Sequence, residues 1–168
     1  AALENCKYGL AFSSGMGATD TVLRLLQPGD EVITGDDLYG GSYRIFTKVY
    51  AKYGIKFHFI DLSKPENIIP YINEKTKLIW LESPTNPTLK ISDIQKIVSI
   101  AHAYHAWVVV DNTFATPIAQ KPIQLGADIV IGVDVQHDLL DRTQLKDATK
   151  ILIQITNLHS TEKKKKNV

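Results

Sequence analysis

The stretch Trp107-Val108-Val109-Val110-Asp111-Asn112-Thr113-Phe114 decides the fold. Four apolar residues in a row read as a strand buried on both faces, the habit of parallel strands in α/β proteins. The strand ends in an acid. A carboxylate at the carboxyl end of such a strand lies where open α/β sheets bind ligands, and it is costly to bury without a cationic partner. A protonated ring nitrogen on a bound cofactor is one such partner. On these residues alone, a turn or helix cap made by Asp111 with Asn112 and Thr113 is an equally good reading.

Working outward, the same pattern recurs. Lys7 to Ser13 reads as a short strand running into Ser13-Ser14-Gly15-Met16-Gly17. A helix follows, with Val22, Leu23 and Leu26 on one stripe, stopped by Pro28-Gly29-Asp30. A strand, a glycine turn and a helix amino terminus present backbone N–H groups to an anion, although glycine in such turns also serves packing alone. Glu31 to Thr34 is a second strand, leading into Gly35-Asp36-Asp37-Leu38-Tyr39-Gly40-Gly41-Ser42. Tyr39 is either a ring lying over a flat ligand or a core or interface aromatic. The periodicity predicts a helix from Ser42 to Gly54 with Tyr43, Phe46, Val49, Tyr50 and Tyr53 inward. Arg44 sits in its first turn, where a cation is either solvated or holds an anion.

Ile55 to Asp61 alternates as a strand, and Lys64-Pro65-Glu66 opens a short helix through Ile72. Lys77 to Glu82 is the next strand and meets Ser83-Pro84-Thr85-Asn86-Pro87-Thr88. Its prolines fix the backbone around the Asn86 amide, though such a turn needs no function. Ser92 is the predicted cap of a helix from Asp93 to Tyr104, with Ile94, Ile97, Val98 and Ala101 inward. His102 and His105 near its end suit the helix dipole, and no third ligand follows at metal-site spacing, so no metal site is expected. A last short strand covers 127–133. Strands and helices alternating over short links predict an α/β fold, a mostly parallel sheet sandwiched by helices. Ser14-Gly15, Tyr39, Asn86 and Asp111 then share one rim, where such sheets bind ligands.

Composition narrows the classes. At 168 residues and 44% hydrophobic, the chain buries one sizeable core. Its formal charge of +1 comes from 19 basic and 18 acidic residues, with much of the positive side in Lys163 to Lys166. No field therefore favours nucleic acid or an anionic membrane. The single Cys6 excludes an intramolecular disulfide and fits a reducing compartment. No apolar run approaches the ~20 residues that cross a bilayer. The amino terminus lacks the features of a signal peptide, so a cytoplasmic protein is expected. It also lacks a methionine and starts like the middle of a helix, so a piece of a longer chain is expected.

Five motifs occur in order: Phe12-Ser13-Ser14-Gly15-Met16, Gly35-Asp36-Asp37-Leu38-Tyr39-Gly40-Gly41, Glu82-Ser83-Pro84-Thr85-Asn86-Pro87, Val110-Asp111-Asn112-Thr113-Phe114 and Leu125-Gly126-Ala127-Asp128. Together they closely resemble the pyridoxal-phosphate-dependent enzymes of cysteine and methionine metabolism: cystathionine γ-lyase, cystathionine γ-synthase and methionine γ-lyase. The resemblance covers roughly residues 3–131. It implies part of the large domain of a fold-type I, aspartate-aminotransferase-like enzyme, and β- or γ-elimination or replacement on a small-molecule sulfur amino acid. It also implies residue roles. The N–H groups of Gly15 and Met16 hold the cofactor phosphate. Tyr39 stacks on the pyridine ring and moves protons, and Asn86 bonds the phenolic oxygen. Asp111 pairs with the ring nitrogen, Thr113 supports the ring, and Arg44 lies on the substrate side. A homotetramer is implied as well, although the family's amino-terminal arm and carboxyl-terminal domain have no counterpart here.

One departure matters. In the family, Gly-Ala-Asp is followed after eight residues by the lysine of a Ser-Ala-Thr-Lys segment, to which the cofactor is attached. Counted from Asp128, that lysine falls on Gln136, and the Ser and Thr fall on Val133 and Val135. Glutamine has no basic amine to join an aldehyde. The chain is therefore expected to be a truncated form of such an enzyme that lacks the attached lysine; Asp147-Ala148-Thr149-Lys150 echoes the segment, with Asp where the family has Ser, and makes Lys150 the candidate for a displaced lysine. The alternatives are a cofactor-binding or interaction protein without catalysis and a gene-model product without function. Residues 132–168 thus read as a divergent segment: Ile151 to Ile155 a strand or core helix piece, Thr161 to Val168 a disordered lysine-rich tail.

Overall fold

The computed structural model describes the backbone of residues 2–134 and 150–155 and the side chains of residues 3–132. Seven strands form one sheet: β1 (Tyr8–Phe12), β2 (Glu31–Gly35), β3 (Lys56–Ile60), β4 (Thr76–Glu82), β5 (Trp107–Asp111), β6 (Ile129–Asp134) and β7 (Lys150–Ile155). Their order is β1-β7-β6-β5-β4-β2-β3. All pairs from β3 across to β6 are parallel. β7 runs antiparallel to both β1 and β6. The segment Ile151 to Ile155 is therefore a strand.

Four α-helices are present among the described residues: α1 (Gly15–Leu23), α2 (Gly40–Lys48), α3 (Ile94–Ala103) and the single turn α4 (Thr116–Ala119). On one face, Ala18, Val22 and Leu23 of α1 and Phe46 of α2 pack with Val32, Leu78, Trp80, Val109, Ile129 and Ile131. On the other, Ile94, Ile97, Val98 and Ala101 of α3 pack with Ile33, Ile79, Leu81, Val108 and Val110. Successive residues of β4 and β5 thus feed opposite clusters. That is why their sequences are continuously apolar rather than alternating. Phe46 stacks on Phe57 at 4.9 Å and meets Trp80 edge-on at 5.4 Å, locking α2 against the sheet.

Local expectations fail in instructive places. The helix expected from Ser42 to Gly54 starts at Gly40, stops at Lys48 and continues as a 3₁₀ turn, Tyr50–Tyr53, closed by Gly54 at φ +84°. Phe46 is buried, while Tyr43, Val49 and Tyr53 are exposed. Tyr50 stays half-buried because its hydroxyl donates to Asp20 Oδ1 at 2.8 Å. The cap of α3 is Asp93, whose Oδ1 accepts from Lys96 N, whereas Ser92 N–H donates to Ser83 Oγ. The short helix expected through Ile72 is a 3₁₀ turn, Pro65–Ile68. Among the described residues no helix is long and apolar enough to cross a membrane. Val135, Gln136 and the tail from Thr161 lie outside the described residues.

Candidate active site

A cavity of about 410 Å³ opens beyond the carboxyl ends of the parallel strands. Its lining gathers Ser14, Gly15 and Met16 after β1, Tyr39 after β2, Glu82 and Asn86 at the end of β4, and Asp111 and Thr113 at the end of β5.

One end is the amino terminus of α1. Ser14 is extended, and its Oγ accepts from Gly17 N at 3.0 Å. The first intrahelical bond runs from Ala18 N to Ser14 O. The N–H groups of Gly15 and Met16 take part in neither and present the helix's positive end to an anion.

The floor carries two acids. Glu82 and Asp111 end adjacent parallel strands and stand opposite each other in register. Asp111 Oδ1 accepts from Thr113 Oγ1 at 2.6 Å and Thr113 N at 3.1 Å. No cationic side chain among the described residues pairs with it, and burial raises its pKa against the lowering effect of those bonds. Burial, and then the nearby Asp111 carboxylate, push Glu82 up to about 7; backbone N–H groups of Tyr39 and Asn86 oppose the rise. Both Glu82 oxygens lie within bonding distance of Tyr39 N, at 2.9 and 3.0 Å. Two adjacent acids, with no cation paired to them among the described residues, leave a floor suited to a positively charged group.

The walls depend on glycine and on a tied turn. A Cβ on Gly41 would fall 2.3 Å from Tyr39 Cε1 and 2.8 Å from Met16 Sδ. The Tyr39 ring rests in the space a side chain would take. It is 47% exposed, which removes the core reading of this residue. The Asn86 turn contains two cis X–Pro bonds, Ser83–Pro84 and Asn86–Pro87. Asp37 ties it down by accepting from the hydroxyls of Thr85 and Thr88 and, at 3.1 Å, from Thr88 N.

The expected residues Gly15, Met16, Tyr39, Asn86, Asp111 and Thr113 therefore line one cavity. Arg44 is exposed on α2 and is not part of the lining. Lys150 opens β7 opposite Asp134, and its neighbour Ile151 pairs with Phe12, next to the Ser13-Ser14 turn; its side chain lies outside the described residues. His102 Nε2 lies 3.0 Å from Asp128 Oδ2, tying α3 to the segment before β6. Among the described residues no group of His, Cys, Asp or Glu is arranged to hold a metal. Glu82 is the site residue that the sequence reading passed over. Its signal was present: Leu78-Ile79-Trp80-Leu81-Glu82 is the same apolar run closed by an acid that marks Asp111.

Comparison with known proteins gives a consistent answer. The family model described as Cys/Met metabolism PLP-dependent enzyme matches residues 1–134. A probable cystathionine gamma-synthase of Herpetosiphon aurantiacus is 50% identical over 131 residues, 78% of this chain and 41% of the relative. A cystathionine gamma-lyase of Dictyostelium discoideum is 49% identical over 131 residues, 78% of this chain and 34% of the relative. The crystal structure of cystathionine gamma-lyase from Lactobacillus plantarum complexed with L-serine superposes with a TM-score of 0.85 at 37% identity, over 94% of this chain and 40% of that one. The chain spans less than half the length of these relatives.

Proposed function

Because the chain belongs to the Cys/Met metabolism PLP-dependent enzyme family, we propose that its rim cavity holds pyridoxal 5'-phosphate and that the whole protein acts on sulfur-containing amino acids. The observation that carries this is the pairing of opposite ends in one cavity: uncommitted N–H groups at α1 and, across the lining, the half-buried Asp111 carboxylate, with no cation paired to it among the described residues. The N–H groups of Gly15 and Met16 take the phosphate. Asp111, oriented by Thr113, takes the ring nitrogen. Asn86 meets the phenolic oxygen, and Tyr39 lies over the ring and moves protons. Bound in this way the cofactor supplies an electron sink for a carbanion, as β- or γ-elimination or replacement requires.

In the full reading, residues 1–131 form the cofactor unit and 132–168 a divergent segment. Arg44 serves the substrate side, Lys150 is the attached amine, and the protein works in the cytoplasm as a homotetramer. The second reading keeps the cradle without catalysis. What favours it is Gln136 at the lysine position.

The visible spectrum of the purified chain with pyridoxal phosphate, beside Lys150→Ala, separates the readings. A band that survives gel filtration and is lost in the variant assigns Lys150 as the attached amine. A retained band unchanged by the substitution leaves a cradle alone. No retained band likewise leaves no attached amine, and equilibrium binding of the cofactor then decides whether the cradle holds it.

A further inference from the structure

We propose that Glu82 is a positioning residue that ties Tyr39, Asn86 and Asp111 into one arrangement and makes that arrangement depend on its own protonation. This rests on the reading of the cavity as a cofactor site. The geometry is independent of any ligand. Glu82 is 6% exposed, yet it lines the cavity. Its carboxylate accepts the Tyr39 backbone N–H at 2.9 Å, although Tyr39 stands 43 residues away on a different strand-to-helix turn. The backbone N–H of Asn86 stabilises the same carboxylate. Asp111 faces it from the end of β5.

A single carboxylate thus fastens the Tyr39 backbone by a hydrogen bond and is favoured in its ionised form by the Asn86 N–H, beside the acid that meets the cofactor's ring nitrogen. Ionised, Glu82 grips both N–H groups and adds negative potential under a cationic ring. Protonated, it gives up the charge-assisted part of those bonds. The titratable groups facing it are Asp111 from β5 and Asp37 from the turn after β2, and both oppose its ionisation. Burial acts in the same direction, and the group titrates at about 7.

The test begins with the cofactor-free, full 168-residue chain. The Tyr39 amide resonance is followed by NMR from pH 5 to 9, with Glu82→Gln alongside. In the wild type it titrates with a midpoint near 7, and in the variant the titration is absent. A flat wild-type response, or an unchanged titration in Glu82→Gln, overturns the proposal. Should Glu82→Gln fail to fold, Asp111→Asn replaces it: removing the neighbouring charge must move the Tyr39 midpoint downward, and an unmoved midpoint overturns the proposal.

The second arm uses pyridoxine 5'-phosphate, which has no aldehyde and so is indifferent to any lysine. The wild type binds it about tenfold more tightly than Glu82→Gln at pH 8, and the ratio collapses towards one at pH 5.5. Equal affinities at pH 8 remove Glu82's role and leave the cofactor reading standing. Absence of wild-type binding removes the cofactor reading, while the Tyr39 titration still decides the role of Glu82.

Discussion

Each end of the parallel sheet buries a glutamate, and the two are treated in opposite ways. Glu31 opens β2 at the amino end, and Glu82 closes β4 at the carboxyl end; they are 8% and 6% exposed. Glu31 is surrounded by donors: His58 Nε2 at 2.7 Å, Asn73 Nδ2 at 3.1 Å and Lys56 Nζ at 3.4 Å. The bond to His58, with help from Asn73 and Lys56, lowers its pKa to about 2. Glu82 has two backbone N–H groups and another acid, and it rises to about 7. Burial alone does not decide a carboxylate's character. Its partners do. The amino end spends its acid on joining three elements, whereas the carboxyl end keeps its acids uncompensated and so fitted to a cation from outside.

The largest expected effect breaks the carboxyl end. Asp111→Asn lowers pyridoxal phosphate affinity about a hundredfold, because an ion pair to the ring nitrogen loses one member. Thermal stability at pH 7.5 holds or rises, since the folded chain no longer carries a carboxylate whose ionisation it disfavours. Fluorescence titration and a melting curve on the same sample test both halves, and a large loss of melting temperature would assign Asp111 to the fold instead.

Breaking the amino end has the complementary signature. Glu31→Gln costs about 2 kcal/mol in urea denaturation at pH 7 through its charged hydrogen bonds, and cofactor affinity is unchanged. A binding defect as large as the stability defect would erase the contrast between the two ends.

The pH dependence sharpens the comparison, with opposite signs at the two ends. Glu31 is depressed below its ordinary value of 4.5, so its stabilisation is present above that pH and is lost as pH falls towards 2. Glu82 is raised, so its ionisation progressively destabilises the fold as pH rises from 4.5 through about 7. On moving from pH 5 to pH 8, Glu82→Gln therefore gains about 2.5 kcal/mol relative to the wild type. Paired denaturation curves at the two pH values measure this, and a relative loss would contradict the assigned direction.

The smallest effect is at the wall. Gly41→Ala pushes on the Tyr39 ring, which is half-exposed and free to swing outward, so affinity falls about threefold and stability changes little. An unfolded variant would show that the ring is more firmly packed than its exposure indicates.

Much of this was legible beforehand because it follows from local chemistry. Val108-Val109-Val110 requires burial on both faces, and that requirement, repeated at Ile79-Trp80-Leu81, imposes a covered parallel sheet. Asp111, Asn86 and Ser14-Gly15 could be placed on the rim because each follows a strand. Less of the detail between elements was legible. Tyr43, Val49 and Tyr53 fall on a helical stripe in sequence, but Tyr43 is exposed on α2 and the helix stops before Val49 and Tyr53. Ser92 and Asp93 are both good caps in sequence, and only the folded chain shows that Asp93 Oδ1 takes the Lys96 N–H, while the Ser92 backbone N–H is tied to Ser83 Oγ.

By itself, the sequence determined the order and kind of elements, the family to which they belong and the absence of a lysine at position 136. These depend on residue type and spacing. Tertiary structure alone decided that Glu82 stands beside Asp111, that it reaches across 43 residues to the Tyr39 N–H, and that Tyr39 settles over Gly41. A carboxylate's pKa and an aromatic ring's resting place are set by what other segments bring within a few ångströms, and strand pairing, not chain order, sets those distances.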